Sequence, residues 1–292
     1  MSISEIAAPA RSVSSVTHIT APTQFVEADG ARYAYRRWGK PGTTPLFFIQ
    51  HFRGGMDHWD PLMTDGLAAG REVVLYDPRG AGSSSGKPRN RFEDMADDIA
   101  AVVRTLGLEK VDLLGFSIGG CQAQEVALRH PELVRKLLLV GTGPRGGDPT
   151  IDPKMPAVAL KPELDVDDFL FLFFGRSEAA KEAGREFWVR RHQRSDQDPL
   201  SSRELIEAQW AAYEAYMVPV GGERPYAHLN AITQPTLVVN GMDDIMIATI
   251  NSFHLGRNIP NAQVILYPDS GHASQFQYPA RFLRHAIQFL EE

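Results

Sequence analysis

Val111-Asp112-Leu113-Leu114-Gly115-Phe116-Ser117-Ile118-Gly119-Gly120 is the stretch from which the rest of the chain can be read. Its first half is an apolar run of strand composition, and Gln122 to Arg129 just after it has the composition of a helix. Between them stands Gly-x-Ser-x-Gly. A serine held at a sharp turn from strand to helix exposes its hydroxyl, and its neighbours two residues away must be glycine to avoid collision. The helix N-terminus then lies beneath any negative charge that develops there. The string alone is weak evidence, because it recurs at Gly82-Ser83-Ser84-Ser85-Gly86. That copy follows Asp77-Pro78-Arg79-Gly80-Ala81 rather than a strand and leads into Lys87-Pro88 rather than a helix, so Ser84 is set aside. Gly86-Lys87 also imitates a phosphate-binding loop. Ala81 stands where its first glycine should be, and Pro88 replaces its hydroxyl residue.

Further apolar runs lie at Pro45 to Ile49, Val73 to Tyr76, Lys136 to Val140, Pro235 to Val239 and Val264 to Tyr267, all of them read as strands buried on both faces. Helical periodicity separates several of them, as in Met95, Ile99, Val102, Val103 and Leu106, or Phe282, Ala286 and Phe289. Strand alternating with helix predicts a mostly parallel sheet with helices on both faces. Gln24 to Gly30 and Ala31 to Gly39 alternate polar and apolar residues around Asp29-Gly30, which predicts an antiparallel hairpin at the N-terminal edge. The runs start at 45, 73, 111, 136, 235 and 264, so one interval, of 99 residues, is far longer than the others. A strand-helix unit needs about 30 residues. The surplus is read as a helical cap over 144–230, inserted between core segments 23–143 and 231–292. The cap carries helical patterns at Asp168 to Phe174, Glu178 to His192 and Ser202 to Met217, dense in aromatic residues. Most of these should form the cap's own core, while Trp188 and Trp210 are taken as lining a substrate pocket.

Composition narrows the function classes. The chain has 292 residues and a net charge of −6, with 36 acidic against 30 basic residues, which argues against a nucleic-acid partner. The single cysteine, Cys121, rules out an intramolecular disulfide and a thiolate zinc site. Residues 1–22 are rich in Ser, Ala and Thr, with neither a signal-peptide core nor a membrane span, and are expected to be a mobile tail on a cytoplasmic protein.

A serine hydroxyl needs a base, and the base an orienting acid. Of nine histidines, His272 lies in Tyr267-Pro268-Asp269-Ser270-Gly271-His272, a loop following the last strand, whence it can reach Ser117. Asp243 and Asp244 both follow the preceding strand, and only one can face His272; Asp244 is favoured. The order Ser, Asp, His differs from those of the chymotrypsin and subtilisin triads.

Together, Gly115-Phe116-Ser117-Ile118-Gly119-Gly120, Asp77-Pro78-Arg79-Gly80-Ala81-Gly82-Ser83, Gly241-Met242-Asp243-Asp244 and Ser270-Gly271-His272 resemble the α/β-hydrolase family, from about residue 24 to the end. The family's Gly-x-x-Asp pattern, counted from Gly241, points to Asp244. Its oxyanion loop normally reads His-Gly-Phe-Pro; here the ungapped match reads Gln50-His51-Phe52-Arg53. One register makes the Phe52 and Ile118 amides the oxyanion donors, and the other replaces Phe52 with Arg53. His51 and Arg53 then adjoin the reacting carbonyl. Arg53 either anchors a substrate carboxylate or pairs with Asp57 or Asp77. The resemblance implies a serine hydrolase of a carboxylic ester or lactone of a small, mostly apolar substrate, working without metal or organic cofactor. Carbon–carbon bond hydrolases, cofactor-free haloperoxidase-like perhydrolases and small-molecule receptors on this fold are the competing readings. Ser117 disfavours the family branches that use an aspartate nucleophile.

Overall fold

The computed structural model of the chain describes residues 16–221 and 224–292. Strands β1 (Gln24–Ala28), β2 (Ala31–Gly39), β3 (Leu46–Ile49), β4 (Glu72–Tyr76), β5 (Val111–Phe116), β6 (Val134–Val140), β7 (Thr236–Gly241) and β8 (Ala262–Tyr267) form one sheet in the order β1-β2-β4-β3-β5-β6-β7-β8. β1 pairs antiparallel with β2, and β2 with β4; every other pairing is parallel. The hairpin turns on Asp29 and Gly30, both at positive φ (44° and 73°), as a two-residue turn of the twist-compatible kind requires.

Helices α1 (Pro61–Ala68), α2 (Phe92–Thr105), α3 (Ile118–Arg129), α4 (Met155–Ala159), α5 (Val166–Phe173), α6 (Glu178–Arg191), α7 (Arg203–Tyr216), α8 (Ile250–Asn258), α9 (Ser274–Gln277) and α10 (Pro279–Glu291) surround the sheet. Side chains alternate across a strand, so successive residues of β3 serve different cores. Leu46 and Phe48 pack with Met63 and Leu67 of α1 and Phe282 and Phe289 of α10. Phe47 and Ile49 pack with Ile99 and Val102 of α2, Val126 of α3 and Leu255 of α8. Each such aromatic or aliphatic side chain contributes about 1.5–3 kcal/mol on leaving water.

Two expectations are corrected. β8 is the sheet's edge, and its Val264 and Leu266 are each 40% exposed rather than buried on both faces. Of the stretch expected to be a mobile tail, residues 1–15 lie outside the described residues, while 17–21 form a docked turn. His18 is buried there, its backbone N–H donating to Asp65 (2.7 Å) and its ring meeting Trp38 edge-on. Arg194 donates to the carbonyls of Ile19 and Ala21 at 2.9 and 2.8 Å.

The long connection between β6 and β7 carries α4 to α7. Asp165, Ser177 and Ser202 cap α5, α6 and α7 by accepting from backbone N–H groups, which starts each helix where the apolar pattern begins. α4, five residues around Pro156, is too short for periodicity to reveal. A bidentate Arg190–Asp60 pair ties α6 to the head of α1 at 3.0 and 2.8 Å. No helix among the described residues is long and apolar enough to cross a membrane.

Candidate active site

Ser117 stands at φ 58° and ψ −125°, between β5 and the first residue of α3. Positive φ is costly for a residue with a side chain and persists only where its surroundings enforce it. Here they do. A Cβ at Gly115 would strike the Gly119 carbonyl, and one at Gly119 would strike the carbonyls of Ile49 and Gln50. Ser84, by contrast, is a structural pin, donating to the Asp77 carbonyl (2.7 Å) and accepting from Ala34 N–H (2.9 Å).

His272, fully buried, is packed against Phe116 and Phe173 at ring separations of 5.1 and 5.7 Å. Its Nδ1 lies 2.8 Å from Asp244 Oδ2. A carboxylate accepts only, so Nδ1 carries the proton and Nε2 presents a lone pair. Nε2 is buried and has no hydrogen-bond partner among the described residues. The other Asp244 oxygen accepts from Met246 and Ile247 N–H at 2.8 and 3.0 Å, which fixes the carboxylate toward the ring. Asp243 faces outward and is exposed.

The loop after β3 distinguishes the two registers. Arg53 N–H donates to Gln209 Oε1 of α7 at 2.7 Å, whereas Phe52 N–H has no acceptor among the described residues. Ile118 N–H, first in its helix, has no intrahelical acceptor. Phe52 and Ile118, which share a cavity lining with Ser117, thus both have amides with no acceptor among the described residues. The Arg53 side chain neither pairs with Asp57 or Asp77 nor offers a free guanidinium to a ligand: it donates to the carbonyls of Ala159 (3.0 Å), Lys161 and Pro162 (2.7 Å). Arg53 is itself at φ 66°, a bent position held by these bonds. Asp57 instead pairs with Arg36, and Asp77 accepts from Met56 and Ser83 N–H.

Ser117 borders two cavities. The larger, of about 170 Å³, is also lined by His51, His58, Phe169, Trp188 and Arg191. The smaller, of about 20 Å³, is lined by Phe52, Ile118, Trp210 and Met246. Trp188 and Trp210 thus fall in different chambers. Burial pushes His51 down to about 3 and His58 well below the usual imidazole range, so both rings are neutral. His51 Nδ1 is 2.7 Å from the Phe52 carbonyl and donates to it, leaving Nε2 as a buried acceptor with no partner among the described residues. His58, Gln209, Met246 and Arg191 were not singled out from sequence. Among the described residues no group of three or more His, Cys, Asp and Glu side chains is arranged to hold a metal ion.

Comparisons with known proteins agree with this architecture. The family model described as the alpha/beta hydrolase fold matches residues 44–279. A solved alpha/beta hydrolase fold protein from Chitinophaga pinensis superposes with a TM-score of 0.87 at 36% identity, covering 95% of this chain and all of that one. A protein of Agrobacterium fabrum with the provisional name carbamate hydrolase RutD is 27% identical over 84% of this chain and 93% of its own. The 2-hydroxy-6-oxo-6-phenylhexa-2,4-dienoate hydrolase of Burkholderia cepacia is 27% identical over 81% of this chain and 83% of its own. The chain belongs to the α/β-hydrolase fold family and is a hydrolase.

Proposed function

We propose that the protein hydrolyses a carboxylic ester or lactone of a small, largely apolar acid through an acyl-enzyme formed on Ser117. The observation that carries this reading is the His272 imidazole, fixed by Asp244 at Nδ1 and bare at Nε2. His272 Nε2 takes the hydroxyl proton as Ser117 Oγ attacks the carbonyl carbon, and Asp244 stabilises the imidazolium. The Phe52 and Ile118 amides receive the oxyanion, assisted by the N-terminus of α3. Collapse of the tetrahedral species breaks the bond to the leaving oxygen, which takes the proton from His272. Water then attacks the acyl carbon, with His272 again as base, and frees Ser117. The two cavities that Ser117 borders give room for the acyl and leaving groups.

A carbon–carbon bond hydrolase is the second reading, favoured by the name of the Burkholderia cepacia relative. It would use the same three residues and differ in the leaving group, a carbanion that must be protonated. Turnover of p-nitrophenyl esters of graded acyl length, with aryl esters and lactones alongside, tests the ester reading. Ser117→Ala is expected to lower kcat/KM by about 10³-fold or more with the fold intact; turnover retained in that variant contradicts it.

A further inference from the structure

Among the described residues five arginines are buried, and four have acceptors. Arg36 is paired with Asp57, Arg71 with Asp112, Arg53 with backbone carbonyls, and Arg194 with carbonyls and Asp196. Arg191, only 9% exposed, is the exception: its Nε is buried with no partner, and its guanidinium donates to nothing among the described residues. The guanidinium carbon lies 5.2 Å from the centre of the Phe169 ring and 5.0 Å from that of Trp188. Aromatic faces steady such a group without using its N–H donors. Burial pulls its pKa down to about 10, which leaves it charged at neutral pH. Three acids, Asp57, Asp198 and Glu163, line the larger cavity as well, and among the described residues none of them accepts a hydrogen bond from Arg191. Asp57 pairs with Arg36 and accepts from Asp198 N–H, while Asp198 accepts from Ser83 and stands 4.0 Å from Arg36. A buried guanidinium whose donors go unused is costly, even with the Asp57 charge nearby, and it presents those donors in a planar fork that matches a carboxylate.

Arg191 lines the same cavity as Ser117. Beside it, His58 Nδ1 accepts from Gly55 N–H at 3.1 Å, so its proton sits on Nε2 as a neutral donor. The unused donors are those of one guanidinium fork, which suits one carboxylate rather than a phosphate dianion. The smaller chamber, walled by Phe52, Ile118, Trp210 and Met246, has no cation to offer.

We propose that Arg191 is the anion subsite of the larger chamber and that the substrate attacked at Ser117 bears a free carboxylate which this subsite holds. The proposal rests on the acyl-transfer reading and narrows its substrate class from a wholly apolar acid to an apolar acid with a distal carboxylate. Arg191 is a specificity residue; it takes no part in bond making.

The test pairs mono-p-nitrophenyl esters of the dicarboxylic acids from succinic to adipic with neutral p-nitrophenyl esters of equal chain length. At one chain length or more the wild type should favour the charged ester, and Arg191→Gln should reduce the ratio of the two kcat/KM values by about 30-fold or more. Arg191→Lys should recover part of that ratio. A ratio unchanged in Arg191→Gln overturns the proposal, even if both rates fall together. Calorimetric titration of the free dicarboxylates into Ser117→Ala provides a readout independent of turnover: saturable binding is expected, and its loss in Ser117→Ala/Arg191→Gln. No saturable binding by any acid of the series overturns the subsite. Labelling of Ser117 by a fluorophosphonate separates the two ideas, since folded wild type that resists labelling contradicts acyl transfer while the titration still decides the role of Arg191.

Discussion

A methyl group at position 119 would press on the carbonyl oxygens of Ile49 and Gln50, backbone atoms at the end of β3 that have nowhere to retreat. Gly119→Ala is therefore expected to destabilise the fold by about 2–4 kcal/mol, measured by denaturant unfolding; an unchanged midpoint would mean that the elbow is looser than described. That glycine was legible in sequence because the demand is local. Arg191 was not, although a signal existed. Ala180, Gly184, Phe187 and Arg191 are buried at spacings of four, three and four, so the arginine continues the apolar stripe of α6. In the string Arg190-Arg191-His192 it passes for the solvated basic end of a helix, which is what Arg190 resembles until its partner Asp60, far away in sequence, is located. Asp244 was preferred over Asp243 by motif spacing, and the physical reason is the pair of backbone N–H groups that turn its carboxylate toward His272.

At the scale of elements, the loop after β3 depends on the long connection between β6 and β7 for its shape. Gln209 of α7 occupies Arg53 N–H, Ser201 donates to the Arg53 carbonyl at 2.6 Å, and the Arg53 guanidinium grips the turn that follows α4. Sequence offered two registers and two roles for Arg53 because all its partners lie more than a hundred residues away. Arg53→Ala should relax the loop that positions Phe52 N–H and lower kcat/KM by about 10–100-fold. Neutral and carboxylate-bearing esters should lose equally. A selective loss on the charged esters would return the anchoring role to Arg53 and contradict the geometry of the strap.

Across the whole molecule, the connection between β6 and β7 meets the segments after β3 and β4 at a buried cluster of acids. Burial, and then the neighbouring Asp57 charge, raises Asp198 from 3.8 to about 6, and burial raises Asp77 well above its usual range. Burial opposes ionisation of Asp57 too, but Arg36 outweighs it and holds that carboxyl below 3.8. As pH rises from about 4 to 6 the unfolded chain releases the Asp198 proton before the folded one does, so stability from this group falls through that window. Asp57 acts in the opposite sense, its contribution being lost only in stronger acid. Asp198→Asn, which can keep the Ser83 contact, should raise stability above about pH 6 by on the order of 1 kcal/mol, with the gain vanishing below about pH 4. Thermal unfolding across that range checks it, and a pH-independent difference would contradict it. The sheet, its hairpin and the extra length between β6 and β7 were legible because strand runs and spacing are properties of the chain itself. The docking of residues 17–21 and this acid cluster were not, since both arise only when distant segments meet.

The central claim is that Ser117 becomes acylated. Intact-mass analysis of the protein quenched during turnover of an activated aryl ester, with peptide mapping, tests it most directly. A mass increase equal to the acyl group, confined to the peptide containing Ser117 and absent in Ser117→Ala, is the predicted result. Steady turnover with no adduct on Ser117, or with the acyl group on another residue, would contradict it.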